Sequence, residues 1–116
     1  MNKTRFTPDL NLVLDTDLAT KLAGNNPVLA KEILDLFLKN LPAEMEQIRQ
    51  AKESNNIALL YKCVHKLHGA ASYCGVPKLK IALLNFELAL KNGEKVTLDS
   101  YFADLEFEVT QLLEQI

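Results

Sequence analysis

Ile57-Ala58-Leu59-Leu60-Tyr61-Lys62-Cys63-Val64-His65-Lys66-Leu67-His68-Gly69-Ala70-Ala71 reads as one amphipathic helix, expected to extend over about 57–74. At 100° per residue, Ile57, Leu60, Val64, Leu67 and Ala71 fall on one side, which is the expected core face. By the same geometry His65 points about 130° from the centre of that face, toward solvent. Ala58 and Tyr61 share the His65 side toward the N-terminus, and Gly69 and Ser72 share it toward the C-terminus. Both histidines of the chain, His65 and His68, lie in this segment.

The flanking sequence repeats the helical reading. Upstream, Asn26-Pro27 pairs a capping side chain with the residue best suited to the first helical position. Leu29, Ile33, Leu36, Phe37, Leu41, Met45 and Ile48 follow at three-and-four spacing, to about Glu53, and Ser54-Asn55-Asn56 closes the run. Pro42 lies inside it and predicts a kink or a restart, because proline lacks the helical N–H. Before this, Asp15 is placed to cap a short helix containing Leu18, Ala19 and Leu22, which Gly24 ends. Downstream, Gly75-Val76-Pro77 ends the central helix and opens another to about Lys91. Asn92-Gly93 turns the chain, and Thr97 is the expected cap of a last helix striped by Leu98, Tyr101, Phe102, Leu105, Val109, Leu112, Leu113 and Ile116. Residues 1–12 carry no period and read as a tail or linker. The pattern predicts an all-α chain: over 13–116, an antiparallel up-down four-helix bundle with a short extra N-terminal helix.

Composition agrees. Of 116 residues, 48% are hydrophobic and 24% charged, enough for one core and inconsistent with disorder. The net charge of -2 is spread along the chain with no concentrated basic face, so no nucleic-acid partner is expected. No apolar run approaches the ~20 residues that span a bilayer, and the first residues lack the apolar centre of a signal peptide. Two cysteines without CxxC spacing suggest a reducing compartment. The expectation is a cytoplasmic, monomeric domain without direct membrane contact, or the cytoplasmic terminus of an inner-membrane protein.

The chemistry is expected at His65. An exposed imidazole titrating near neutrality offers an unprotonated nitrogen as a nucleophile. Gly69, four residues on, removes the side chain that would stand beside the ring, at a cost of roughly 1 kcal/mol in helix propensity; close helix packing is the other reason for a glycine there. On the next helix, Leu79, Leu83, Phe86 and Leu90 form the main stripe. Ile81, Leu84 and Leu88 form a second one, expected to be buried on a second side of the helix or else to form a docking patch.

His65-Lys66-Leu67-His68-Gly69, with small residues up to Gly75, resembles the His-x-Leu-Lys-Gly segment of histidine-phosphotransfer domains. The resemblance runs from about Asp15 to Ile116. It is strongest to the C-terminal phosphotransfer domains of bacterial hybrid sensor kinases of the carbon-storage regulatory type. His68 departs from it, standing where the family usually has lysine. The resemblance implies a phosphorelay carrier. His65 would accept a phosphoryl group from a receiver-domain aspartate and pass it to another receiver, the partners being receivers of a hybrid sensor kinase and of a response regulator. It also implies that Glu87, twenty-two positions after His65, lies beside the ring; an ordinary boundary carboxylate is the alternative. Lys66 and His68 are candidate donors to the phosphoryl group, and Ala58, Tyr61, Ser72 and Leu84 candidate docking residues. The dispersed glycines form no nucleotide loop, so no autokinase activity and no cofactor of the chain's own are expected; Mg²⁺ is expected on the partner receiver. Two rival readings are a metal site at Cys63, His65, His68 and Cys74, which helical geometry does not let converge, and a helical adaptor without covalent chemistry.

Overall fold

The computed structural model describes residues 10–93 and 98–116. Five helices follow in order: α1 (Thr16–Leu22), α2 (Pro27–Glu53), α3 (Ile57–Ala71), α4 (Pro77–Lys91) and α5 (Leu98–Glu114). Three of them start as their capping residues dictate. Asp15, Asn26 and Asn56 accept from the backbone N–H of Leu18, Leu29 and Leu59 at 2.9, 3.0 and 3.1 Å. Each satisfies an N–H that the first helical turn leaves without a partner. The proposed cap Thr97 and most of the proposed tail lie outside the described residues.

Helices α2 to α5 form an antiparallel four-helix bundle in which α2 packs on α3, α3 on α4 and α4 on α5. Its centre is built from Leu41 and Ile48 of α2, Leu60 and Val64 of α3, Leu83 and Phe86 of α4, and Leu105 and Leu112 of α5, all with at most 1% of their surface exposed. Side chains close the bundle between its first and last long helices. Arg49 of α2 pairs with Glu106 of α5 at 3.1 Å, and Lys52 with Asp99. Both cations also lie over the Phe102 ring, at 5.8 and 5.4 Å from its centroid.

Helix α1 packs on α2 and is fixed over one end of the bundle by the turn after α3. Gly75 adopts φ +69°, and its carbonyl accepts from Asp15 N at 2.8 Å. A Cβ at this position would lie 2.5 Å from the Asp15 carbonyl oxygen and 2.8 Å from the Ala19 Cβ. Only glycine meets both the backbone angle and the close approach.

Four sequence expectations are corrected. Of the kink or restart expected at Pro42, the restart does not occur: α2 is one helix of 27 residues. Pro42 is on the exposed side, where solvent can serve the carbonyl its ring leaves without a helical donor, while Leu41, Met45 and Ile48 stay packed. Helix α3 ends at Ala71, with residues 72–75 in a turn. Leu29 and Leu36 of α2 and Leu113 and Ile116 at the end of the chain are exposed, so those stripes are wider than the faces they bury. The second stripe of α4, Ile81, Leu84 and Leu88, is also exposed rather than buried on a second side.

Candidate functional site

The core face of α3 fixes everything on its opposite side. With Leu60, Val64 and Leu67 inside the bundle, His65 is turned outward, its side chain 64% exposed. His68, one turn on, falls at the seam with α4 and is 18% exposed. Across that seam stands Glu87, whose carboxylate is 10% exposed. It lies next to Phe86, whose burial at the bundle centre sets the rotation of α4 about its axis.

One carboxylate bridges the two imidazoles. His65 Nδ1 lies 3.1 Å from Glu87 Oε2, and His68 Nδ1 lies 3.0 Å from Glu87 Oε1. Burial alone pushes the Glu87 carboxyl up, but hydrogen bonds and attraction from His65 and His68 outweigh it and hold the group below the usual carboxylate range. Glu87 is therefore an anion at neutral pH and can only accept, so each Nδ1 carries the donated hydrogen. In the neutral ring of His65 this leaves Nε2 as the nitrogen with a lone pair. Tyr61 stacks on the same ring, with centroids 5.8 Å apart and planes 13° apart.

Beside the ring there is room. A Cβ on Gly69 would meet nothing within 4 Å, so close helix packing is not what calls for glycine there. Lys66 is exposed and paired with Glu44 of α2 at 3.3 Å. His68 faces Glu87 rather than the open space beside His65. Its Nδ1 is committed to Glu87, and its Nε2 is buried without a partner. Among the docking candidates, Ala58 and Leu84 are exposed, Tyr61 and Ser72 half-buried, and the Ser72 hydroxyl donates to the His68 carbonyl at 2.9 Å.

Two features escaped sequence reasoning. The His68–Glu87 bond needs the relative rotation of α3 and α4, and the Glu44–Lys66 pair that of α2 and α3; neither rotation is written in one segment. The soft ligands do not converge. Cys63 and Cys74 are buried and free, and burial pushes the Cys74 thiol up to about 11, away from the thiolate a metal needs. Among the described residues no three His, Cys, Asp or Glu side chains are grouped to hold a metal ion. Also among the described residues, no helix is long and apolar enough to cross a membrane.

Comparison with known proteins places this geometry in context. The Hpt domain family model matches residues 32–116. Sensor histidine kinase GacS of Pseudomonas protegens is 41% identical over 90 residues, covering 75% of this chain and 10% of that protein. Signal transduction histidine-protein kinase BarA of Escherichia coli is 32% identical over 106 residues, covering 91% of this chain and 11% of that protein. The chain thus spans about a tenth of the length of the curated relatives it matches. The crystal structure of the HPT domain from a sensor hybrid histidine kinase from Shewanella superposes with a TM-score of 0.66 at 34% identity. That match covers 93% of this chain and 98% of that one.

Proposed function

The chain belongs to the Hpt domain family, and from that premise we propose that it carries a phosphoryl group on Nε2 of His65 between receiver domains. One observation carries the assignment to this residue. Glu87 holds the Nδ1 hydrogen of an exposed ring, which turns the Nε2 lone pair outward beside the open space at Gly69. That lone pair attacks the phosphorus of a receiver's aspartyl phosphate. The N–P bond forms, and the P–O bond to the aspartate breaks with its electron pair. The ring keeps its Nδ1 hydrogen and becomes positively charged opposite the Glu87 anion, so no proton has to move.

The donor we propose is the receiver of a hybrid sensor kinase, and the acceptor the receiver of a response regulator, with Mg²⁺ supplied on the receiver side. Leu84 and its neighbours Ile81 and Leu88 offer an exposed apolar face on α4, the helix that carries Glu87; on α3, Tyr61 stacks on the ring and Ala58 is exposed two turns before it. In the test, a phosphorylated receiver is mixed with the protein, removed, and replaced by a second, unphosphorylated receiver. Acid-labile phosphate should appear on the protein and then move on, with both transfers stopped by chelating Mg²⁺ while the isolated phosphoprotein persists. Binding of receivers without gain of phosphate would make the domain an adaptor instead.

A further inference from the structure

We propose that His68 is a positioning residue for His65: through Nδ1 it holds the second oxygen of Glu87, and so sets both the tautomer and the protonation of the reacting ring. The proposal rests on His65 being the phosphoryl acceptor and adds to that reading the means by which the ring is kept reactive.

A carboxylate beside one imidazole does two opposing things. It orients the ring by accepting the Nδ1 hydrogen, and it favours the doubly protonated imidazolium, which has no lone pair to attack phosphorus. A second donor on the same carboxylate changes that balance. It neutralises part of the negative charge and fixes the carboxylate plane, so that orientation is kept while the pull toward imidazolium weakens. His68 is built for this, with its Nδ1 3.0 Å from Oε1 while His65 occupies Oε2.

The far side of His68 supports a neutral ring. Its Nε2 is buried and meets no partner. A hydrogen there would be a buried donor with nothing to accept it, which costs more than leaving a lone pair enclosed. The hydrogen therefore sits on Nδ1, where Glu87 needs it, and the ring is closed to a phosphoryl group on His65.

Other charged and titratable groups stand on the elements around the pair. From α3 come Tyr61, stacked on His65, and Lys66, which Glu44 of α2 holds at 3.3 Å. On α4, Lys80 and Lys91 fall within 40° of Glu87 by helical geometry and are exposed. Asp15, in the loop before α1, is committed to the α1 cap. None of them reaches the second oxygen of Glu87, which His68 takes.

Two variants separate position from bulk. His68→Phe keeps a ring and removes the donor; His68→Asn keeps a donor close to where Nδ1 stands. Potassium phosphoramidate, a small donor that needs no receiver, is used to label each protein across pH 6–9. The ring nitrogens of His65 are followed by ¹⁵N NMR before labelling. In His68→Phe the midpoint of the pH profile should rise by about half a unit, which lowers labelling about threefold on the acid limb at pH 6 and less at pH 7, at tenfold per unit. The His65 spectrum should lose its preference for hydrogen on Nδ1. His68→Asn should restore profile and spectrum. Coincident profiles and spectra for His68→Phe and wild type would overturn the proposal, as would His68→Asn behaving like His68→Phe. If wild-type His65 takes no label, the carrier reading falls, while the nitrogen spectra still decide whether His68 sets the tautomer.

Discussion

Gly69 is a residue whose cost and use are separable. It lies in regular helix with nothing within 4 Å of a built Cβ, so Gly69→Leu should fold and gain roughly 0.5–1 kcal/mol from helix propensity. The same leucine stands one turn from His65 and crowds the approach to Nε2. Transfer from a receiver should slow at least tenfold while the melting temperature rises; a wild-type transfer rate in a stabilised variant would remove the open-approach role. His65 and Gly69 were legible in the sequence because the core periodicity of α3 fixes which way each must face. The share of Glu87 taken by His68 was not. His68 sits at the seam of two helices, and whether a seam residue turns to solvent or to its neighbour depends on how both are rotated.

Among the elements, α1 depends on one turn. Gly75→Ala puts a side chain at φ +69° and 2.5 Å from a backbone oxygen, so it should cost about 1–3 kcal/mol and loosen α1 from the bundle end. His65 and Glu87 lie on α3 and α4, away from that contact, so labelling by phosphoramidate should persist at the wild-type rate under folding conditions. Urea unfolding paired with labelling checks both halves. Helix starts at Asp15 and Asn26 could be read directly, since a cap is a local hydrogen bond; Asn56, read as the close of α2, also caps α3. The exposure of Leu36 and of the stripe Ile81, Leu84 and Leu88 could not, because a helix cannot tell from its own sequence how many neighbours it has. That stripe carries a prediction of its own. Leu84→Glu should slow transfer from a receiver while leaving phosphoramidate labelling unchanged, and equal loss in both assays would mean that Leu84 supports the site rather than docking.

For the whole molecule, Glu87 links the site to acid stability. Its carboxyl is held below the usual range in the folded protein, so the folded state binds the proton less readily than the unfolded chain. That stability is fully present above the unfolded value of about 4.3 and is lost as pH falls through the lower folded value. Urea midpoints taken at pH 6 and pH 3 should therefore fall further for wild type than for Glu87→Gln, which has no proton to gain. Equal falls would mean that the two histidines do not hold the carboxylate in solution. The all-helical bundle itself was legible because periodicity, caps and short loops agree along the chain; the ties Arg49–Glu106 and Lys52–Asp99 join helices far apart in sequence and emerge only from the closed bundle.

The central claim, that His65 is the carrier, is tested most directly by locating the phosphate. After transfer from a phosphorylated receiver, wild type and His65→Gln are analysed by mass spectrometry under conditions that preserve phosphohistidine, with a melting curve on the same samples. One phosphoryl group on His65 in the wild type, and none on an equally stable His65→Gln, is the predicted result. Phosphate retained by His65→Gln, on His68 or elsewhere, would contradict it.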